Sequence, residues 1–194
     1  MKTRSLFSLA AFMLLCSIAT AQNYVIDPGH SSVQIRIQRF GVVDVVGRFK
    51  DVSGSITYDA NDLNKTAAEA IIKVNSYDAN NSGGEEAVKS PAFLDAATYP
   101  EITFQSKSTS VEEGQSLLIG DLTIHGTTRE VALPFTINGP LPDLPTRKQS
   151  IAAEASISIN RQDYGVSFDR KLPNGTSLIG DEVKITLIIL ALAE

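Results

Sequence analysis

Apolar and polar residues alternate one for one in run after run of this sequence, and after residue 21 no stretch holds a long 3.6-residue period. Val33, Ile35 and Ile37 alternate with Gln34, Arg36 and Gln38, and Val52, Gly54, Ile56 and Tyr58 alternate with Ser53, Ser55 and Thr57. The same pattern returns at Ala70, Ile72 and Val74, at Ile102 and Phe104, at Val131 to Ile137, and at Ala153 to Ile159. A period of two puts every second side chain on one face, so each run predicts a strand with one buried and one solvated side. Many such strands in one chain leave edges that must be protected, and closing the sheet into a barrel removes them. The expected fold is therefore all-β: one antiparallel closed barrel of about eight strands, with no internal repeat and no linker that separates two domains.

Turn chemistry falls between the runs, at Gly83-Gly84, Asn138-Gly139, Asn174-Gly175 and the proline-rich Pro140 to Pro145. One short helical insertion is expected over Glu85 to Leu94, interrupted by Pro91, with Ser82 as its cap. The last strand alternates at Val183, Ile185 and Leu187 and is then apolar through Leu192, which predicts coverage on both faces. The same run is also a possible face for a homodimer.

The first residues read differently. Lys2 and Arg4, an apolar run from Leu6 to Leu15 and the small-residue ending Ala19-Thr20-Ala21 form the three-part pattern of a signal peptide. Residues 1–21 are expected to leave by cleavage after Ala21, and residues 22–194 to form the domain. The apolar run is shorter than the ~20 residues of a membrane span, so the protein is expected not to be integral to the membrane. The sole cysteine, Cys16, leaves with the leader, and Leu15 before it disfavours a lipid anchor there. The net charge of -5 becomes -7 once Lys2 and Arg4, and no acid, are removed. An acidic chain without a basic run argues against nucleic acid or an anionic membrane as principal partner.

Chemical motifs are missing. His30 and His125 are the whole imidazole supply and have no Cys or Glu at ligand spacing, so neither a metal nor another cofactor is expected. There is no nucleophile elbow, no zinc-protease helix and no phosphate-cradling glycine loop. The acidic pairs Glu85-Glu86, Glu112-Glu113 and Asp181-Glu182 each lie beside glycine and read as solvated loops rather than a glycosidase pair. Asn64, Asn80 and Asn174 open N-x-S/T triplets, which fit surface loops.

Four stretches together resemble the YceI family of small exported bacterial proteins. They are Tyr24-Val25-Ile26-Asp27-Pro28-Gly29-His30-Ser31-Ser32-Val33 with Gly41 and Gly47-Arg48-Phe49; Phe93-Leu94-Asp95 with Tyr99-Pro100-Glu101-Ile102-Thr103-Phe104; Gly120 to Thr128; and Asn160-Arg161-Gln162-Asp163-Tyr164-Gly165 with Gly180-Asp181-Glu182-Val183. Their order spans nearly all of residues 22–194. The resemblance implies a lipocalin-like antiparallel barrel around an apolar channel, located in the periplasm or secreted, and a long-chain apolar ligand such as a polyisoprenoid, quinone or fatty-acid-like lipid. The chain departs from the family pattern at Gly83 to Ala87, where members carry an Arg-Asp pair and a histidine, and at Arg39, where a histidine is frequent. If those groups hold a ligand head group in relatives, that contact is reorganised here.

Val33, Ile35, Ile37, Phe49, Phe93, Phe104, Leu122, Ile124 and Phe168 are the residues expected on or near the lumen. An eight-stranded barrel can also be filled by its own side chains, and the residues alone leave both readings open; the resemblance favours an open channel. Arg39 shares a face with Val33, Ile35 and Ile37 if the strand stays regular, which would bring a cation to one end of the channel for an anionic head group. The alternative is a bulge near Gly41 that lets Arg39 reach water or Asp44. His30 and His125 are expected to tie turns through backbone hydrogen bonds, and Arg161 and Asp163 to pair along an extended strand. A non-enzymatic lipid carrier is the expected function; an enzyme acting on a lipid-like substrate and an envelope interaction module with a filled barrel are the alternatives.

Overall fold

The computed structural model describes residues 21–194, so the basic tip and apolar run of the expected leader lie outside the described residues. Within this range the alternating runs become eleven strands: β1 (Gln22–Ile26), β2 (Ser32–Arg39), β3 (Val43–Phe49), β4 (Val52–Tyr58), β5 (Ala67–Lys73), β6 (Tyr77–Asp78), β7 (Glu101–Glu112), β8 (Gln115–Ile124), β9 (Thr127–Pro142), β10 (Gln149–Asn160) and β11 (Ile179–Ala193). All pairings are antiparallel. Eight of the strands close a ring in the order β1-β4-β5-β7-β8-β9-β10-β11, completed by β1 against β11 with Tyr24 opposite Ala193.

The other three strands heighten the barrel on one side. A 3-10 turn at Pro28–His30 breaks one long strand into β1 and β2, which pair with successive parts of β11. β3 pairs with β2, and β6 pairs with β3 through Phe49 opposite Tyr77. Register holds Val33, Ile35 and Ile37 on the inner face opposite Phe49, Gly47 and Val45.

The end of the barrel at the β1–β4 pairing is solid. Tyr24, Ile151 and Ala191 are almost fully buried there, and Ile26, Ile56 and Ile189, also buried, form the floor of the space above. Each large apolar side chain removed from water contributes ~1.5–3 kcal/mol, so this packed plug carries much of the stability. At the other end, β9 and β10 part company. Their ladder runs from Pro142 opposite Gln149 to Phe135 opposite Ala155. Beyond it, residues 127–134 pair with β8 and residues 156–160 with β11, and among the described residues no ladder joins the two.

Several local expectations are corrected. Asn138-Gly139 is not a hairpin turn but lies inside β9, where Gly139 takes φ 109 opposite a register shift at Ser150/Ala152. Glycine serves a bulge there, and the chain reverses instead at Asp143 to Lys148, where Asp143 accepts hydrogen bonds from Thr146. Gly83-Gly84 is no loop either. It opens helix α1 (Ser82–Lys89), whose cap is Asn81 rather than Ser82: the Asn81 carboxamide accepts from the Gly84 amide at 3.3 Å, and Glu85 accepts from the Asn81 amide. Glu85-Glu86 thus sit in the helix, which ends before Pro91. Asp181-Glu182 lie in β11, not in a loop. The apolar end of β11 is covered inside, where Ile189, Ala191 and Ala193 are buried, but only in part outside, where Leu190 and Leu192 are half-buried and Ile188 remains 43% exposed.

Candidate functional site

Above the plug the barrel is hollow. A cavity of about 660 Å³ occupies the taller half, within the roughly 300–1,000 Å³ usual for small-molecule sites. Its wall explains why the inward residues of β10 and β11 are only half-buried. Ile157, Ile159, Ile185 and Leu187 all face inward, yet each keeps accessible surface because it faces empty space rather than another side chain.

Val33, Ile35, Ile37, Phe49, Phe93, Phe104, Leu122 and Ile124 all line this cavity, as does Arg39 at its rim. Phe168 does not. It stacks on the outer side of Phe93, with ring centroids 4.7 Å apart and planes 28° from parallel. The pair joins the segment after α1 to the segment after β10. Residues 165–178 form no long strand, so no alternation could have told which way Phe168 points.

Helix α1 and the residues before it roof the cavity. Ala79, Asn81, Gly83, Gly84, Ala87 and Val88 face it, and the small residues keep the roof thin. Sequence reasoning missed this roof because Gly83-Gly84 reads as a turn. Tyr77 was missed as well; it lines the cavity, packs on Phe49 at 5.2 Å, and burial pushes its phenol above the usual range. β3 accommodates that ring only because residue 47 is glycine: a Cβ there would lie 2.1 Å from the Tyr77 hydroxyl oxygen.

Arg161 is the one deeply buried cation among the described residues, at 5% exposure. The expected pairing with Asp163 is not formed, because residues 161–164 coil into a 3-10 turn rather than an extended strand. Instead Nη2 donates to Asp181 Oδ1 at 2.8 Å and to the Phe168 carbonyl at 2.9 Å, Nη1 donates to the Val166 carbonyl, and Nε donates to the Gly180 carbonyl at 2.9 Å. With its donors so engaged, Arg161 fastens the segment after β10 to the start of β11. Its planar fork can satisfy such diverging acceptors where an ammonium could not.

Arg39 keeps its register with β3, opposite Val43, while β11 bulges beside it between Ile179 and Val183; the irregularity lies in β11 rather than in β2, and Arg39 stays on the inner face. Its guanidinium lies 3.9 Å over the ring of Phe40. Asp44 pairs with Arg36 at 3.6 Å instead, and among the described residues no carboxylate lies within ion-pair distance of Arg39. The histidines stand outside the lining. His30 Nδ1 meets the Asp27 carboxylate at 2.7 Å, a side-chain rather than a backbone partner, and this bond, with one from the Gly29 amide, holds Asp27 below the usual carboxylate range. His125 takes φ 50 in the β8–β9 turn and packs on Tyr99 at 4.5 Å. Among the described residues no three His, Cys, Asp or Glu side chains cluster as a metal would need.

A closed antiparallel barrel with a packed base and a hollow, almost wholly apolar upper half defines the class: a lipocalin-like barrel. The profile of the YceI-like domain matches residues 24–191, and the chain belongs to that family. It is 34% identical over 168 residues to a UPF0312 protein of Shewanella sp. (strain MR-7), covering 83% of this chain and 85% of the relative. It is 31% identical over 165 residues to protein YceI of Salmonella arizonae, covering 84% and 86% of the two chains. Among solved structures, Burkholderia cenocepacia BcnA superposes with a TM-score of 0.74 at 25% identity, over 86% of this chain and 99% of that one. A polyisoprenoid-binding domain from Saccharophagus degradans, implicated in plant cell wall breakdown, superposes with a TM-score of 0.66 at 15% identity, over 90% and 100%; at that identity the likeness is one of fold.

Proposed function

We propose that this protein is a non-enzymatic carrier that holds the tail of a long-chain lipid, of the polyisoprenoid, quinone or fatty-acid-like kind, inside the barrel. The observation that carries the reading is the hollow apolar lumen, into which Ile35, Ile37, Ile157, Ile159, Ile185 and Leu187 project while only half-buried. Family membership supports it, as does the fold shared with a domain described as polyisoprenoid-binding. The tail lies along Val33, Ile35, Ile37, Phe104, Leu122 and Ile124, and the head group stands at the rim beside Arg39. Phe49 and Phe93 complete the wall, while Phe168 acts through Phe93.

The magnitudes suffice. Each tail methylene taken from water contributes ~0.8 kcal/mol, so about fifteen supply ~12 kcal/mol. Association and ordering offset at least ~4 kcal/mol of that, which leaves affinity of about micromolar order. The expected leader supports a location in the periplasm or outside the cell, where a lipid crossing an aqueous gap needs such a shelter. Native mass spectrometry of protein purified from its own host tests the reading. A co-purifying lipid of constant mass is expected; a chain that always arrives empty and takes up none of a panel of prenols, quinones and fatty acids defeats it.

A further inference from the structure

The tip of the β2–β3 hairpin carries apolar surface that folding leaves uncovered. Val42 is 85% exposed, Val43 53% and Val46 49%, three valines within five positions. The turn itself is an unusual one: Phe40 and Gly41 take φ 57 and 67, and the Val42 amide donates to the Arg39 carbonyl at 3.1 Å. Three residues, Phe40 to Val42, join Arg39 to its partner Val43; central turn positions with positive φ favour Asn-Gly, and a bulky aromatic in the left-handed region is strained. The strain is held by neighbours, for the Phe40 amide donates to the Leu178 carbonyl and the ring carries the Arg39 guanidinium.

Cations surround these valines. Arg36 and Arg39 lie on β2, and Arg170 and Lys171 lie on the adjoining segment, which reaches the tip through Leu178 and through Thr176 beside Gly41. Four acids lie close by: Asp44 is paired with Arg36, Asp169 with Lys171 and Asp181 with Arg161, and Glu182 accepts from Ser158 on β10. Among the described residues Arg39 and Arg170 have no carboxylate partner, so the tip carries unpaired positive charge on a chain whose net charge is -5. It is also continuous with the cavity, because Arg39, Ile37, Val45 and Ile179 lead from it into the lumen.

We propose that this tip is a membrane-docking element: Val42, Val43 and Phe40 enter the acyl boundary of a lipid bilayer while Arg39, Arg170 and Lys171 meet its phosphates, which sets the cavity mouth against the membrane. Apolar residues flanked by cations match the two layers of a bilayer interface. The inference rests on the carrier reading, and its test is separate from that reading. The acidic surface elsewhere restricts the contact to this end.

The chain has no tryptophan, so one introduced at the tip reports alone. V42W should show a blue-shifted, stronger emission on addition of phosphatidylethanolamine/phosphatidylglycerol vesicles. Tryptophan at Val111, 58% exposed on the β7–β8 hairpin, should not. The variant carrying V42E and V43E should co-float with vesicles at least tenfold less and slow the transfer of a fluorescent fatty acid from vesicles to protein by a similar factor. Its affinity for the same fatty acid in vesicle-free buffer should be unchanged. A V42W spectrum that vesicles leave unmoved, or a shift equal to that of V111W, overturns docking even if the lumen binds lipid. A shift that depends on protein concentration without vesicles overturns it in favour of self-association. Docking with no lipid uptake sinks the carrier reading instead.

Discussion

Replacing Ala155 by phenylalanine pits the hollow lumen against the alternative of a filled barrel. Ala155 lies on the inner face of β10 between Phe135 and Leu187, and all three line the cavity. A phenyl ring placed there takes the room of about four tail methylenes, and at ~0.8 kcal/mol each the loss is ~3 kcal/mol, roughly 100-fold in affinity. The same ring gains contacts in a space that was empty. Filling a cavity commonly adds ~0.5–2 kcal/mol of stability, which in a domain of this size raises the melting temperature by ~2–4 °C per kcal/mol. Affinity and stability should therefore move in opposite directions. The assays are displacement of a fluorescent long-chain fatty acid and thermal melting of delipidated protein. In a packed interior the added ring would destabilise by ~1–3 kcal/mol through strain. A lower melting temperature with unchanged probe affinity would refute the reasoning, since the site of the substitution would then be neither empty nor occupied by ligand.

Arg39→Leu should weaken a fatty acid about five- to tenfold, in keeping with the ~1 kcal/mol of a solvent-exposed ion pair, and leave a neutral lipid of equal tail length unaffected; isothermal titration of both ligands checks this, and equal affinities before and after the change for both would remove Arg39 from the site. Arg161→Met should cost about 2–4 kcal/mol in urea melts by leaving the Val166, Phe168 and Gly180 carbonyls without their charged donor, and Arg161→Lys should recover less than half. Asp59 is held below the usual carboxylate range by the Asn61 amide at 2.9 Å and by Lys65 at 3.0 Å. Its contribution to stability is thus fully present above about pH 4, the unfolded value, and is lost as pH falls through the lower folded value; Asp59→Asn should flatten that acid limb in melts recorded across it.

The alternating runs were enough to place the strands and one wall of the lumen, because a period of two fixes which face each residue takes. They could not say how far that wall stands from the opposite one. Ile151 and Ile159 follow the same alternation on β10, yet Ile151 is 1% exposed in the plug and Ile159 faces the cavity. The difference comes from β1 and β4 closing in at one end and from β2 and β3 rising at the other, which is set by pairing across the whole chain. Arg161 shows the same limit at short range. Its partner Asp181 lies twenty residues on, and only the 3-10 turn at 161–164 and the return of β11 bring the two together. At Asn138-Gly139 the local turn signal was overridden by a ladder that continues past it.

The parting of β9 from β10 gives the barrel an adjustable girth. Below Phe135 and Ala155 the ring is bonded all round and its circumference is fixed. Above them, Val131 and Leu133 face Ile157 and Ile159 along a stretch without a ladder, whose two lips are held from behind by β8 and by β11 and tied across the top by one bond, from Arg129 Nε to the Asp163 carbonyl at 3.1 Å. Spreading the lips breaks no ladder bond, only that one side-chain bond, so around a branched or ring-bearing tail of the proposed ligand the upper lumen is the part expected to widen while the base stays rigid. On the proposed carrier reading, one scaffold would then take hydrocarbon chains of different cross-section, as an expanding collet grips rods of different diameter without a change to its shank.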